Sequence, residues 1–395
     1  MAFGILFHGL QILQNRGYDS SGICTIIEND FVLSKFATTD DNNALEQLES
    51  DKQLHKGTIG ISHTRWATHG PKTKVNAHPH NDMNNKISLV HNGIIENYKE
   101  IYDKLIQKGY TFISETDTEV ISNLISSLLD DGLDMYDAIN NATQILEGTW
   151  ALVIVNKNEP NRLYLAKNGS PLLVGFGVHN DFAIIASEQS VFSNYVNRYI
   201  SLDDKEIMVI VREENIIKQL NPENKETEDL QLSEHQLRKT ISEYISLSPE
   251  PYPHWTIKEI YEQPEAVGST ISGRLGEQDV LNNVFGIGSS GAFKEVKRIQ
   301  FVACGTSLHA AKTARKWFED ISGTPCYIDF ASEYRYRNPL VENNTLFVAI
   351  SQSGETADTL AALEYAKKEK YLGIVSICNV PTSTMARESD WKMFT

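Results

Sequence analysis

The sequence predicts two domains of different class, a layered α+β domain followed by an α/β domain built on a doubly wound parallel sheet. Three observations carry this. The chain has 395 residues, too many for one ordinary hydrophobic core. Its first half runs short strands in succession with helices grouped apart from them, as layered α+β domains do. Its second half alternates apolar strands with amphipathic helices, the pattern of a parallel sheet covered on both faces.

Element by element, residues 57–62 and 87–91 read as strands, and 96–107 and 119–129 carry apolar residues at helical spacing. Four further strands are expected at 150–155, 162–166, 182–186 and 206–211. Residues 220–253 turn polar and acidic, then rich in Ser and Pro, which predicts a linker. A helix is expected from 255 to about 273, strained or split by Pro264. Beyond it come strand 298–303, helix 307–319, strands 326–329 and 346–350, helix 356–368 and strand 373–378. About four strands make a small doubly wound sheet, so this second domain is expected to be incomplete. No internal repeat or low-complexity tract interrupts the pattern.

Composition narrows the function. Hydrophobic residues make up 41% and charged residues 22%, close to the globular average. Thirty-six basic residues against 52 acidic ones leave a net charge of −16. With no basic stripe, nucleic acid is not an expected partner. Lys367-Lys368-Glu369-Lys370 reads as the solvated end of a helix. Cys24, Cys304, Cys326 and Cys378 are scattered, which excludes a disulfide framework and gives no zinc pattern. The apolar runs, such as 346–350, are strand-sized and far below the roughly 20 residues of a membrane helix. Residues 1–14 lack a basic n-region and are broken by Gln11 and Gln14, unlike a signal peptide. A cytoplasmic protein without a membrane partner is expected.

Two loops stand out chemically. Cys304-Gly305-Thr306-Ser307 and Ser351-Gln352-Ser353-Gly354-Glu355-Thr356 each follow a strand and open a helix. Helix N-termini at the carboxyl ends of parallel strands bind anions, and small hydroxyl residues let a phosphate approach the backbone. Ser and Thr also cap helices, but two such loops at equivalent positions favour a phosphate site. Neither fits the triphosphate loop G-x-x-x-x-G-K-[ST]. In the first half, Arg65 lies in His63-Thr64-Arg65-Trp66-Ala67-Thr68-His69-Gly70, where it can hold a carboxylate or make a surface ion pair. Asn92-Gly93, flanked by apolar residues, reads by spacing as a type I′ hairpin turn, with an oxyanion hole as the alternative. His69, His78, His80 and His91 show no recognisable metal-ligand spacing.

Taken together, Arg16 to Gly22, His63 to Gly70, Asn76 to His80, His91 to Tyr98, Ser114 to Glu119, Lys258 to Pro264, Cys304 to Ser307, Ser332 to Arg337 and Ser351 to Thr356 closely resemble the glutamine–fructose-6-phosphate aminotransferase (isomerizing) family. They occur in family order across nearly the whole chain. The resemblance implies an N-terminal-nucleophile αββα glutaminase sandwich over 1–219, a linker and connecting helix over 220–285, and a first sugar-isomerase (SIS) domain, incomplete, over 286–395. It implies glutamine and fructose 6-phosphate as substrates, glucosamine 6-phosphate as product, no metal or organic cofactor, and a homodimer in the full-length form. Arg65 would bind the glutamine α-carboxylate with Thr68 and His69 shaping the pocket. Asp117 would pair with the α-amine, Asn92 with Gly93 would form the oxyanion hole, and Trp66 would gate an ammonia channel. Thr306, Ser307, Ser351, Gln352, Ser353 and Thr356 would bind the sugar phosphate.

The chain also departs from the family pattern. Met1-Ala2-Phe3-Gly4 stands where the family has Cys-Gly-Ile and a strand, and the second isomerase domain has no counterpart here. A fragment or truncated product, inactive alone, is therefore the first expectation. One half of a split enzyme and a sugar-phosphate-binding regulatory remnant are the alternatives. The amidophosphoribosyltransferases share the first domain type but call for a different second one.

Overall fold

The computed structural model describes residues 2–14, 17, 19–39, 42–65, 71–192, 195–196, 198–214, 216–230, 238–239, 251–271, 274–275, 280, 284–286, 288–380 and 383–395. It forms two compact units, Met1–Leu247 and Ser248–Thr395. In the first unit the order is α1 (Ala2–Leu13), β1 (Ser20–Ile27), β2 (Asp30–Ala37), α2 (Ala44–Ser50), β3 (Gly60–Arg65), β4 (His80–Asn81), β5 (Ile87–Ile95), α3 (Tyr98–Gln107), α4 (Asp117–Asp130) and α5 (Met135–Ile145). Then follow β6 (Gly148–Asn156), β7 (Arg162–Asn168), β8 (Leu173–Phe176), β9 (Ala183–Ala186), β10 (Arg198–Ser201), β11 (Ile207–Glu213), β12 (Ile216–Leu220), β13 (Thr227–Asp229) and β14 (Arg238–Lys239).

The strands divide into three antiparallel sheets ordered β2-β1-β3, β14-β10-β8-β9 and β13-β12-β11-β7-β6-β5-β4. Alternation along each strand decides what every face touches. Ile87, Leu89 and Ile95 of β5 and Leu152 and Ile154 of β6 pack with Ile121 and Ile125 of α4 and Ile139 of α5. The opposite faces meet the other two sheets: Val90 and Val155 touch Cys24, Ile26 and Ile61, and Leu165 and Ile210 touch Val174, Phe176 and Ile200. On the far side, Phe3 and Leu10 of α1 cover Ile23 of β1 and Leu48 of α2. The layers are helix, sheet, sheet, helix, the expected αββα sandwich. The central sheets are buried on both faces, so their strands are apolar runs rather than clean alternations.

The second unit holds α6 (Trp255–Ile271), α7 (Ser289–Phe293), β15 (Arg298–Ala303), α8 (Gly305–Ser322), β16 (Cys326–Phe330), α9 (Ala331–Tyr334), β17 (Thr345–Ile350), α10 (Ala357–Lys368), β18 (Gly373–Cys378), α11 (Thr384–Glu388) and β19 (Trp391–Phe394). Its sheet is all parallel, in the order β16-β15-β17-β18-β19. Val302, Phe347 and Ala349 face Leu360 and Leu363 of α10. Phe301 and Val348 face Ala311 of α8. Helices on both faces make it doubly wound. The chain winds from β15 outward to β16 and then crosses back to β17, so the switch point lies between β15 and β17, where such sheets bind ligands.

Four expectations change. Asn92-Gly93 is not a turn: both residues lie inside β5, paired with Ala151 and Trp150 of β6. The polar run 221–226 is the turn of a hairpin joining β12 to β13, closed by Asn221 N–H donating to the Glu226 carbonyl, so the seven-stranded sheet continues to Asp229. α6 runs unbroken through Pro264. Ile260, whose carbonyl loses its donor, is 55% exposed, so water can serve it instead. The parallel sheet has a fifth strand, β19, beyond the four expected.

Candidate functional site

Asp117 is the first residue of α4. Thr116 caps that helix, its Oγ accepting from Glu119 N–H at 3.4 Å. The Glu119 carboxylate turns back to accept from Ile113 and Ser114 N–H at 2.9 and 2.6 Å. The Thr116 cap, with the Glu119 carboxylate holding the turn before it, sets where the helix begins and hence where the Asp117 carboxylate lies, at the positive end of the helix dipole. Asp117 is 7% exposed, and its Oδ2 accepts from Ile95 N–H of β5 at 3.0 Å, two residues beyond Gly93.

Arg65 closes β3, opposite Ser20 of β1. Burial depresses its pKa, while Asp117 and Asp19 oppose the shift, so those two carboxylates are its electrostatic partners. Its Nη1 also donates to the Pro71 carbonyl at 3.5 Å. Asp19 is buried and pairs with Lys72 at 2.5 Å. The structure thus gathers Arg65, Asp117 and the β5 segment carrying Asn92 and Gly93. Gly93 has φ 147°, and a Cβ there would run into the Thr149 carbonyl of β6, so only glycine suits this close pairing. Trp66, Thr68 and His69 lie outside the described residues.

Three buried histidines, His78, His80 and His91, and the half-buried His63 cluster near Thr118, the residue after Asp117. The Thr118 hydroxyl lies 3.1 Å from His91 Nδ1 and 3.3 Å from His78 Nε2. His63 stacks on His78 with centroids 4.3 Å apart, and His80 meets His78 edge-on at 5.0 Å. Burial lowers the pKa of all four, His63 to about 3, so the rings are neutral at pH 7. Among the described residues no group of His, Cys, Asp or Glu is arranged to hold a metal ion. Stacked rings present faces to each other rather than converging nitrogens. His91 Nδ1 is 3.9 Å from Asp117 Oδ2, yet being neutral it leaves that carboxylate to Arg65 and to any cationic ligand. In the sequence His63 stands out only as the first residue of the stretch around Arg65, and its spacing to the other rings comes only from folding. Cys24 is fully buried in β1 and burial pushes its thiol up to about 12, which unsuits it as a nucleophile.

In the second unit, the loops after β15 and β17 are neighbours because Ala303 and Ile350 pair at the strand ends. Ser351 Oγ accepts from Gly354 N–H at 3.1 Å and lies 2.9 Å from Thr356 Oγ1. Ser353 Oγ accepts from Glu355 N–H at 3.2 Å. Gly354 is left-handed, φ 66°, and a Cβ there would strike Ser383. The Glu355 carboxylate accepts from Thr384 N–H at 2.7 Å, bracing the loop against α11. Neither Thr356 nor Cys304, the N-cap residues of α10 and α8, makes a side-chain cap bond. The Thr356 hydroxyl is therefore not spent on capping α10. Thr306 and Gln352 are exposed, and Ser307, Ser353 and Thr356 half-buried.

Residues 63–194 match the glutamine amidotransferase domain family and residues 292–395 the SIS domain family. The glutamine–fructose-6-phosphate aminotransferase (isomerizing) of Pseudomonas putida is 42% identical over 393 residues, 99% of this chain and 62% of that protein. The Escherichia coli K12 protein of the same name is 40% identical over 392 residues, with the same coverage. The chain is similar to glutamine–fructose-6-phosphate aminotransferases along nearly its whole length. It spans 62% of the length of these relatives. A solved C-terminal domain of glucosamine-fructose-6-phosphate aminotransferase from Francisella tularensis is 47% identical, covering 38% of this chain and 42% of that one, with TM-score 0.37.

Proposed function

We propose that the first unit binds L-glutamine and the second binds the phosphate of fructose 6-phosphate, as parts of an enzyme that transfers the glutamine amide nitrogen and isomerises the sugar to glucosamine 6-phosphate. The observation that carries it is the buried opposition of Arg65 and Asp117 beside β5. A free amino acid presents one carboxylate and one ammonium on a single carbon, and this pair offers a cation and an anion to match. Asn92 and Gly93, three and two residues before Ile95, whose N–H donates to Asp117, would take the side-chain amide oxygen. Thr68 and His69 would shape the pocket and Trp66 would gate the passage of ammonia. Thr306, Ser307, Ser351, Gln352, Ser353 and Thr356 would hold the phosphate with hydroxyl, amide and helix N-terminal donors. The amidotransferase domain would occupy 1–219 and the isomerase domain 286–395, joined by 220–285. Within that joining stretch, the hairpin to Asp229 still belongs to the first unit's sheet. The full-length protein would be a cytoplasmic homodimer without nucleic-acid or membrane partners; no described helix is long and apolar enough to cross a membrane.

Titration of the purified chain with L-glutamine, followed by NMR or calorimetry, tests the proposal. Arg65→Ala and Asp117→Asn should each weaken binding about tenfold or more, since each removes a charge-assisted contact of roughly 1.5–3 kcal/mol. Equal binding by parent and both variants would refute it.

A further inference from the structure

Pro71 to Val75 is an exposed stretch, and the residue that follows it, Asn76, is 2% exposed. Both ends of the Asn76 amide are used. Nδ2 donates to the Pro71 carbonyl at 3.1 Å, and Oδ1 accepts from Glu115 N–H at 3.0 Å. Only one orientation of the amide satisfies both partners, one an acceptor and the other a donor. The Pro71 carbonyl also accepts from Arg65 Nη1. Glu115 lies two residues before Asp117, in the turn that leads into the capped start of α4. The Asn76 carbonyl is itself bonded to the His80 ring, and its N–H donates to Thr73 Oγ1 at 3.4 Å. Lys35 ties the same loop to β2 through the Val75 and Pro79 carbonyls at 3.1 and 3.3 Å.

We propose that Asn76 is a positioning residue that sets the spacing between the Arg65 guanidinium and the Asp117 carboxylate, and so makes the site select α-amino acids over ligands with one charge alone. The chain of contacts runs from Arg65 through the Pro71 carbonyl and the Asn76 amide to the Glu115 N–H, joining segments 39 residues apart in sequence. A ligand with both a carboxylate and an ammonium benefits only if the two protein charges stand at the matching distance. A ligand with one of them tolerates a shift, because a single contact can follow its partner. The inference rests on the glutamine-binding proposal above.

The test compares three ligands on the full chain by NMR titration: L-glutamine, 5-amino-5-oxopentanoate, which lacks the α-amine, and 4-aminobutanamide, which lacks the carboxylate. The parent should prefer glutamine to each analogue by tenfold or more, and Asp117→Asn should erase the preference over the amine-free ligand. If the parent shows no preference, the amino-acid site is refuted and the inference with it. Asn76→Ala should reduce the preference to below threefold while changing affinity for each analogue by less than twofold. Asn76→Asp, which keeps the acceptor for Glu115 N–H but loses the donor to Pro71, serves if the alanine variant does not give a cooperative thermal transition, and should show the same collapse. If Asp117→Asn erases the preference and the folded Asn76 variant keeps it, the positioning role is overturned and the glutamine site stands. A uniform loss for all three ligands would show a structural role and overturn it as well.

Discussion

His63, His78, His80 and His91 show how burial, rather than residue type, sets charge in this unit. Each is depressed mainly by desolvation, with neighbouring histidines and Arg65 adding to it at His63 and His78 and Asp117 opposing it at His91. A histidine whose folded pKa lies below its unfolded value near 6.5 stabilises the fold above that pH. The unfolded chain binds protons first as pH falls, so stability drops from about pH 6.5 downward, for His63 as far as about 3. Each such ring contributes up to about 1.4 kcal/mol per pH unit in that window. The first unit's thermal midpoint should therefore fall by several degrees between pH 7.5 and 5.5. Histidine ring NMR signals from these four should titrate below the ordinary 6.5, that of His63 near about 3; ordinary titration near 6.5 would contradict the cluster. Gly93 makes a second residue-scale case. Gly93→Ala must place a Cβ against the Thr149 carbonyl at φ 147°, and should cost about 3 kcal/mol or more in a urea titration. The same geometry explains why Asn92-Gly93 misleads as a hairpin signal. The dipeptide offers positive φ, and here a strand uses it to approach its neighbour.

Helix α4 is the element on which the proposed amino-acid site depends, and it shows what a sequence does and does not disclose. Apolar spacing located it at 119–129, yet its start at Asp117 is set by the Thr116 cap on Glu119 N–H and by the Glu119 carboxylate accepting from Ile113 and Ser114 N–H, which apolar spacing does not register. Every residue from Asp117 to Ser127 is buried, with Ser122, Asn123 and Ser126 bonded to Asn81, Met83 and Asp82. Those partners are some 40 residues away in sequence, so nothing local announced them. The division of the strands among three sheets was equally hidden, being long-range pairing. β19 escaped because Trp391–Phe394 is a short edge strand with no apolar run. The alternating strands and helices of the second unit were legible because each amphipathic helix covers one face of an apolar sheet. Glu119→Ala removes the acceptor for two N–H groups at the entry to α4 and should cost about 1–2 kcal/mol. If α4 presents Asp117 to glutamine, the same variant should weaken glutamine binding more than fructose 6-phosphate binding. Thermal scans and titrations of both ligands measure this, and equal weakening would argue against the role of α4.

Each of the two units has its own buried cores, so the two proposed ligands should leave separate marks on stability. A ligand that binds the folded state alone stabilises it by RT ln(1 + [L]/Kd). A sugar phosphate held chiefly through its phosphate by the 304–307 and 351–356 loops has an expected Kd near about 1 mM, or about −4 kcal/mol. At roughly 10 mM, fructose 6-phosphate should then stabilise the second unit by about 1.4 kcal/mol, raising its transition by about 3–6 °C for a unit of this size. Hydrogen exchange read peptide by peptide should slow across β17 and β18 and stay unchanged across β5 and β6. Ser353 lies half-buried within the loop, and Ser353→Leu should abolish the effect by blocking the approach of phosphate, while Ser353→Ala should only reduce it. Fructose should have no effect, because without the phosphate the helix N-termini and hydroxyls have no anion to hold. If fructose protects as well as its phosphate, or the leucine variant responds like the parent, the two loops are not an anion site and the assignment of the second unit fails.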